Sequence, residues 1–382
     1  ALEQKGPLGT FVLDLRGNTG GLLSSAIEVA NFFLPKGTTL LSTKGNSIVR
    51  QPVNGNTVET EERDEVYVAQ RPPLISPNTK VVVLVNGETA SAAEIVAGAI
   101  QDHDRGVVVG ERTYGKGLVQ MFTKLDDESQ IKLTVAKYYT PSGRCIQNKV
   151  YRTDKEVNGR ASEQVISQSE KKTFKTDRGR TVSDAGGIEP DLVVPGRKVG
   201  NLEQQLLGKN AFMLYAGQWE ANHANDGLKL AKAKERVVTD AVYEDFMAWA
   251  KTNLARGDKG DKEPFSGAFD SMEKTLKESG YGGAVDQLTA LRMRMTEIID
   301  SEFKSDKDQL KKQLELAIRS RYVPRGEVLA AFLDEDQQLQ QATRFSMEES
   351  RYAKSLFPEP GIPSPVLSSA AQEFQSYHTP SK

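Results

Sequence analysis

Lys80-Val-Val-Val-Leu-Val85 constrains this chain more than any other stretch. Its apolar residues run without alternation, so a strand here has no polar face to give to water and must be covered on both sides. Asn86-Gly87 ends it, a helix is predicted over Ala92–Gln101, and a second apolar strand over Val107–Val109. Upstream, Thr10–Leu15 (TFVLDL) is a buried strand ended by the glycine-rich turn Arg16-Gly17-Asn18-Thr19-Gly20-Gly21. A helix over Leu22–Phe33 follows, with Leu23, Ile27, Ala30 and Leu34 on one face and Pro35-Lys36-Gly37 as its stop. Strand, helix and strand in alternation predict an α/β core, which the β-rich stretch Leu118–Tyr139 extends and which closes near Val194. Residues 38–72 read as a hairpin arm with Asn54-Gly55 at its turn.

A chain of 382 residues is longer than one core usually serves, so a second unit is expected. The region 201–348 reads as a helical accessory domain, with helices over Val237–Leu254 and within Val285–Tyr322. Ser305-Asp306-Lys307-Asp308 reads as a capping box restarting a helix that carries Leu310, Leu314, Ile318 and Tyr322 on one face. Met293 and Met295 are expected in the core. Residues 148–180 read as a polar, aperiodic surface insertion, and 357–382 as a disordered tail.

A net charge of −2 from 50 basic and 52 acidic residues supplies no field for nucleic acid or an anionic membrane. No apolar run approaches the roughly 20 residues that span a bilayer. Cys145 is the only cysteine, so no internal disulfide forms; His103, His223 and His378 sit in no zinc-binding spacing, and neither metal nor organic cofactor is expected. The start Ala1-Leu2-Glu3, without Met or a signal-like segment, reads as a fragment whose N-terminal part, with any targeting sequence, is missing.

Ser91 stands where the central strand turns into the next helix, beside unpaired amides such as that of Ala92 and the positive end of the helix dipole. A developing oxyanion can be stabilised there. Ser91-Ala-Ala-Glu94 also matches a capping box, in which the hydroxyl serves only the helix. Lys116, after the strand 107–109, is a base if neutral and a plain loop lysine otherwise. Gly110-x-x-x-x-Gly115-Lys116 reproduces most of a phosphate-binding loop, but Gly117 replaces the Ser or Thr that would hold magnesium and an extended stretch replaces the helix. If 116–122 are extended, Lys116, Leu118 and Gln120 share a face and Gln120 can orient the lysine. Asp102 closes the helix that Ser91 begins, with Arg105 or Arg112 as expected partner and tuning of the lysine as a second role. Gly20-Gly21 can present backbone N–H groups.

Together these segments resemble the C-terminal processing peptidases, the tail-specific proteases of peptidase family S41. The resemblance rests on DLRGNTGGLL from Asp14, VLVNGETASAAEIVAGAIQDH from Val83, VGERTYGKGLVQM from Val109, YYTPSGRCIQ from Tyr138 and AGGIEPDL from Ala185, and on the 25-residue Ser–Lys spacing. It is strong to about residue 195 and loose to about 348. It implies a crotonase-like α/β peptidase core with a C-terminal helical extension, and a PDZ domain just upstream that this chain lacks. It implies Ser91 as nucleophile, Lys116 as general base, Gln120 as the residue placing the lysine, and Gly21 with the Ala92 amide as oxyanion hole; Gly20 and Asp102 are supporting candidates. Implied substrates are unfolded proteins or those with apolar C-termini, the implied compartment is the bacterial envelope or plastid lumen, and an oligomer is compatible. A non-catalytic scaffold of the same fold is the alternative.

Overall fold

A computed structural model of the chain describes residues 6, 8–45, 48–53, 56–61, 64–124, 129–157, 160–165, 171–184, 186–232, 235–253 and 266–357. They form two units, one of residues 1–196 with 336–382 and one of residues 197–335.

The first unit begins with β1 (Thr10–Asp14), α1 (Leu23–Asn31), β2 (Thr39–Lys44), β3 (Ile48–Val53), β4 (Asn56–Glu61) and β5 (Glu65–Val68). The apolar strand β6 (Lys80–Val85), the helix α2 (Ala92–Asp102) and β7 (Val107–Gly110) follow. Then come β8 (Leu118–Lys124), β9 (Gln130–Tyr139), β10 (Lys149–Val157), β11 (Arg160–Val165), β12 (Thr173–Lys175), β13 (Thr181–Ser183) and β14 (Leu192–Val193). One sheet has the order β1-β6-β7-β14, all parallel, with β6 central as its composition demands. A second, antiparallel sheet has the order β5-β2-β9-β8. In the arm, β3 and β4 pair antiparallel up to Val53 opposite Asn56; Asn54-Gly55 lies outside the described residues. Residues 148–180 are less irregular than expected, since β10 and β11 pair antiparallel. Their mixed polar residues lack the apolar alternation that marks a strand, while ladder formation needs only backbone.

The second unit contains α3 (Asn201–Gly208), α4 (Ala211–Asn222), α5 (Gly227–Lys232), α6 (Asp240–Asn253), α7 (Ser266–Glu278), α8 (Val285–Ser305), α9 (Lys307–Arg319) and α10 (Arg325–Ala330). Phe212, Tyr215 and Trp219 of α4, Phe246 of α6 and Leu310, Leu314 and Ile318 of α9 share its core. The helix restart at Lys307 holds, but the capping box does not: Ser305 Oγ donates back to Glu302 O, because α8 runs through Ser305 itself. Met293 is 63% exposed rather than core, as α8 buries only a narrow stripe.

At Asp336 the chain returns to the first unit, adding α11 (Gln337–Met347) and α12 (Glu349–Leu356). Val81, Val83, Val85 and Val108 pack against α1 and α2, whereas Val82, Leu84, Val107 and Val109 pack against Ala342, Phe345, Tyr352 and Leu356. Both covers of β6 are thus present, and the second one arrives from the end of the chain. Tyr352 OH also donates to Val81 O at 3.0 Å. The end of the tail, 358–382, lies outside the described residues.

Candidate active site

Three loops meet at the N-terminus of α2. Ser91 occupies the first position before the helix with φ 57 and ψ −121, a conformation costing a non-glycine residue about 1–3 kcal/mol. At this strand-to-helix elbow, Ser91 and Glu94 stand in the reciprocal capping-box arrangement that the sequence offers. Gly20 packs directly on Ser91: φ is +96°, and a Cβ there would stand 2.7 Å from Ala90 O and 2.9 Å from both Ser91 Cβ and the Ala92 nitrogen. Only glycine fits that approach. The turn is docked on the elbow by Ala90 N donating to Asn18 O at 2.9 Å, Gly17 N to Asn86 Oδ1 at 3.0 Å and Thr89 Oγ1 to Leu15 O at 2.8 Å. Gly20 N donates to Asn18 Oδ1, while Gly21 N has no hydrogen-bond partner among the described residues. Ala92 supplies the first amide of α2, one that the helix leaves unpaired.

The third loop carries Lys116. Its fastener is Glu94, which is fully buried and accepts four hydrogen bonds with no ion-pair partner among the described residues. Oε2 accepts from the Ser91 and Lys116 amides, each at 2.8 Å; Oε1 accepts from the Gly115 amide at 2.7 Å and Thr113 Oγ1 at 2.5 Å. One oxygen therefore holds the backbones of both Ser91 and Lys116, whose nitrogens stand no more than about 6 Å apart. Burial pushes the Glu94 carboxyl above the usual range, against the pull of the Thr113 hydroxyl and the three amides. The loop is fixed on its other side as well. Gly117 N donates to Gln147 Oε1, Asn148 N to Gly115 O and Tyr138 N to Gly117 O.

The Lys116 side chain is exposed, and among the described residues no hydrogen bond joins its Nζ to Ser91 Oγ or to Gln120. Gln120 lies exposed on β8, an edge strand. The expected shared face is interrupted, because Lys116 precedes β8 and the register shifts between Val119 and Gln120. Asp102 sits about 16 Å along α2 from Ser91. Its partner is neither Arg105 nor Arg112 but Arg144, at 2.7 Å with both side chains fully buried, and its Oδ2 accepts from Ser142 N. Arg105 donates instead to Phe33, Thr79 and Ser76 carbonyls, and Arg112 to Glu189.

Two roles escaped the reading of the sequence. Glu94 is the expected capping partner, but its further donors were missed, although a carboxylate amid the apolar run AAEIVAG signals a buried charge that needs them. Arg16, at the root of the glycine turn, donates to Asp14 and also to Asp336 and Gln338. Burial alone would lower its pKa; the hydrogen bonds and charges of both aspartates raise it, so it stays a cation.

The model of peptidase family S41 matches residues 2–157, and that of the C-terminal helical domain of a probable PDZ-protease matches residues 202–345. The chain is 44% identical over 132 residues to carboxyl-terminal-processing peptidase 1, chloroplastic, of Arabidopsis thaliana, covering 35% of this chain and 24% of that protein. It is 41% identical over 137 residues to a carboxy-terminal-processing protease of Bartonella bacilliformis, covering 36% and 28%. A carboxyl-terminal-processing protease of Synechocystis sp. is 41% identical over 140 residues, covering 37% and 29%. The chain thus spans between 24% and 29% of the length of these relatives. Over residues 2–157, the chain is thus similar to peptidase family S41.

Proposed function

We propose that this chain carries the catalytic core of a serine endopeptidase of the C-terminal processing type, on a crotonase-like fold, with Ser91 as nucleophile and Lys116 as general base. The observation that carries this reading is the single Glu94 oxygen shared by the Ser91 and Lys116 amides, with Gly20 packed against Ser91. Lys116 acts through the lone pair of its amine nitrogen. Its Nζ takes the Ser91 Oγ proton as Oγ attacks a peptide carbonyl carbon, and the oxyanion accepts from the Gly21 and Ala92 amides. The C–N bond then breaks, and the departing amine takes the proton from Lys116. Water, deprotonated by the same lysine, attacks the acyl-enzyme and frees the new carboxyl end, returning Ser91 to its hydroxyl form. Gln120 approaches Lys116 once the side chain turns inward, and Asp102 supports the far end of α2 through Arg144.

Substrates are unfolded proteins or chains with an apolar C-terminus. Names of relatives include chloroplastic forms, which supports a plastid or bacterial-envelope setting. Among the described residues no helix is long and apolar enough to cross a membrane. The exposed, unjoined Lys116 side chain favours one rival, a non-catalytic scaffold. S91A and K116A separate the two. Each purified variant should lose cleavage of an unfolded protein with an apolar C-terminus by about a thousandfold or more at unchanged circular dichroism; full activity in either one overturns the dyad.

A further inference from the structure

Arg16 is saturated. Its Nε donates to Asp14 Oδ1 at 2.9 Å and its Nη2 to Asp14 Oδ2 at 2.7 Å. Nη2 also reaches Asp336 Oδ2 at 2.5 Å, and Nη1 donates to Asp336 Oδ1 at 3.0 Å and Gln338 Oε1 at 2.9 Å. These contacts use all five N–H groups of a guanidinium, so none is left for a substrate carboxylate. Asp14 comes from the strand that enters the turn. Asp336 and Gln338 lie 320 and 322 positions downstream of Arg16, where the chain re-enters the first unit.

The two downstream residues are themselves held. Asp336 Oδ1 accepts from Leu339 N at 3.0 Å, capping α11, and Gln338 Nε2 donates to Val194 O at 2.7 Å. Helix α11 in turn packs Ala342 and Phe345 on Leu84 and Val109. The contact on Arg16 is therefore referenced to the sheet through α11 and to the end of β14. A bidentate carboxylate–guanidinium pair fixes angle as well as distance. Through Arg16 it fixes the start of the turn that ends at Gly20, against Ser91.

We infer that Asp336, with Gln338, is a positioning residue for the glycine turn, so that the segment after the helical unit completes the active site. This rests on the serine-peptidase reading only for its effect on turnover.

The test is D336N in the full chain. Asparagine keeps the α11 cap but cannot hold a guanidinium through two oxygens. Amide hydrogen exchange at Gly17 and Gly20 should speed up about tenfold, while β6 amides and the thermal midpoint stay unchanged. In the R16Q background, D336N should add nothing, as expected of a residue acting through Arg16. On substrate, kcat should fall about tenfold with KM unchanged, an effect again absent in R16Q. Unchanged exchange at Gly17 and Gly20, or an equal further loss in R16Q, overturns the inference. If the wild-type chain shows no Ser91-dependent turnover, the peptidase reading fails, and the exchange measurement still decides the role of Asp336.

Discussion

Around Glu94 a buried anion is surrounded by neutral donors, whereas around Arg16 a cation at the rim of the same site is surrounded by two carboxylates and an amide. The first cluster spans residues 91–116 and closes within one βαβ unit; the second joins residues 320 apart. A carboxylate that accepts from amides sets backbones, because amides have no rotamers to lose. A guanidinium that bridges carboxylates sets a side chain and depends on where its partners are anchored. On this view Glu94 makes Ser91 and Lys116 one rigid body, while Arg16 aligns a separate turn against it.

The largest effect expected from breaking this contrast is at Glu94. E94A would leave three amides and the Thr113 hydroxyl without their acceptor, each worth about 1–3 kcal/mol when buried, and should destabilise the first unit by about 3–5 kcal/mol in denaturant unfolding. E94Q keeps one acceptor oxygen and turns the other into a donor. It should cost about 2–3 kcal/mol and at least tenfold in kcat. Wild-type activity in E94Q would show that the shared oxygen has no mechanistic consequence.

Next in size is the Gly20 position. G20A should cost about 1–3 kcal/mol and depress kcat/KM, since both the positive φ and the backbone of the elbow refuse a methyl group. G21A, one residue on with open space around its Cβ, should change stability by less than about 1 kcal/mol. Equal effects would mean that the turn is not packed against Ser91 as described.

The smallest and most diagnostic effect is in pH. Protonating Glu94 removes an acceptor from the Ser91–Lys116 tie, so activity should fall as pH drops through a value above the ordinary glutamate range of about 4.3. Stability runs the other way. A carboxyl with a raised folded pKa binds its proton more tightly in the native state, so its contribution is full below the unfolded value and declines as pH rises through the folded one. An acid limb of kcat that persists unchanged in E94Q would assign the titration to another group.

Much of this was readable in advance, for local reasons. The strands β1, β6 and β7 announce themselves by unbroken apolar runs, and α2 by the Gly87-to-Ser91 entry. Gly20 lies against Ser91 and Ala92 because both segments sit at strand-to-helix turns of the same parallel sheet. The Lys116 loop was legible as glycine-rich, but the β8 bulge that spoils the alternation to Gln120 leaves no mark in composition. Asp102 was recognised as structural while its partner was not: Arg144 lies 42 positions away, and charge alone made Arg105 and Arg112 look equally suitable. Helix α11 falls within the region 201–348 expected to be helical, while α12 was given no structure. Period tells which face is apolar, not which sheet that face will cover.

That last point bears on how the protein is made. β6 is flanked early by α1 and α2, but Val82, Leu84, Val107 and Val109 stay bare until Phe345, Tyr352 and Leu356 have been synthesised. The whole of residues 197–335 must emerge in between, roughly 7–28 s at ordinary translation speeds of ~5–20 residues per second. During that interval the nascent chain carries an uncovered apolar sheet and a glycine turn whose arginine still lacks Asp336. By the order of synthesis alone, the hydrophobic layer under β6 and the carboxylate on Arg16 are both incomplete until residues 336–356 have been made.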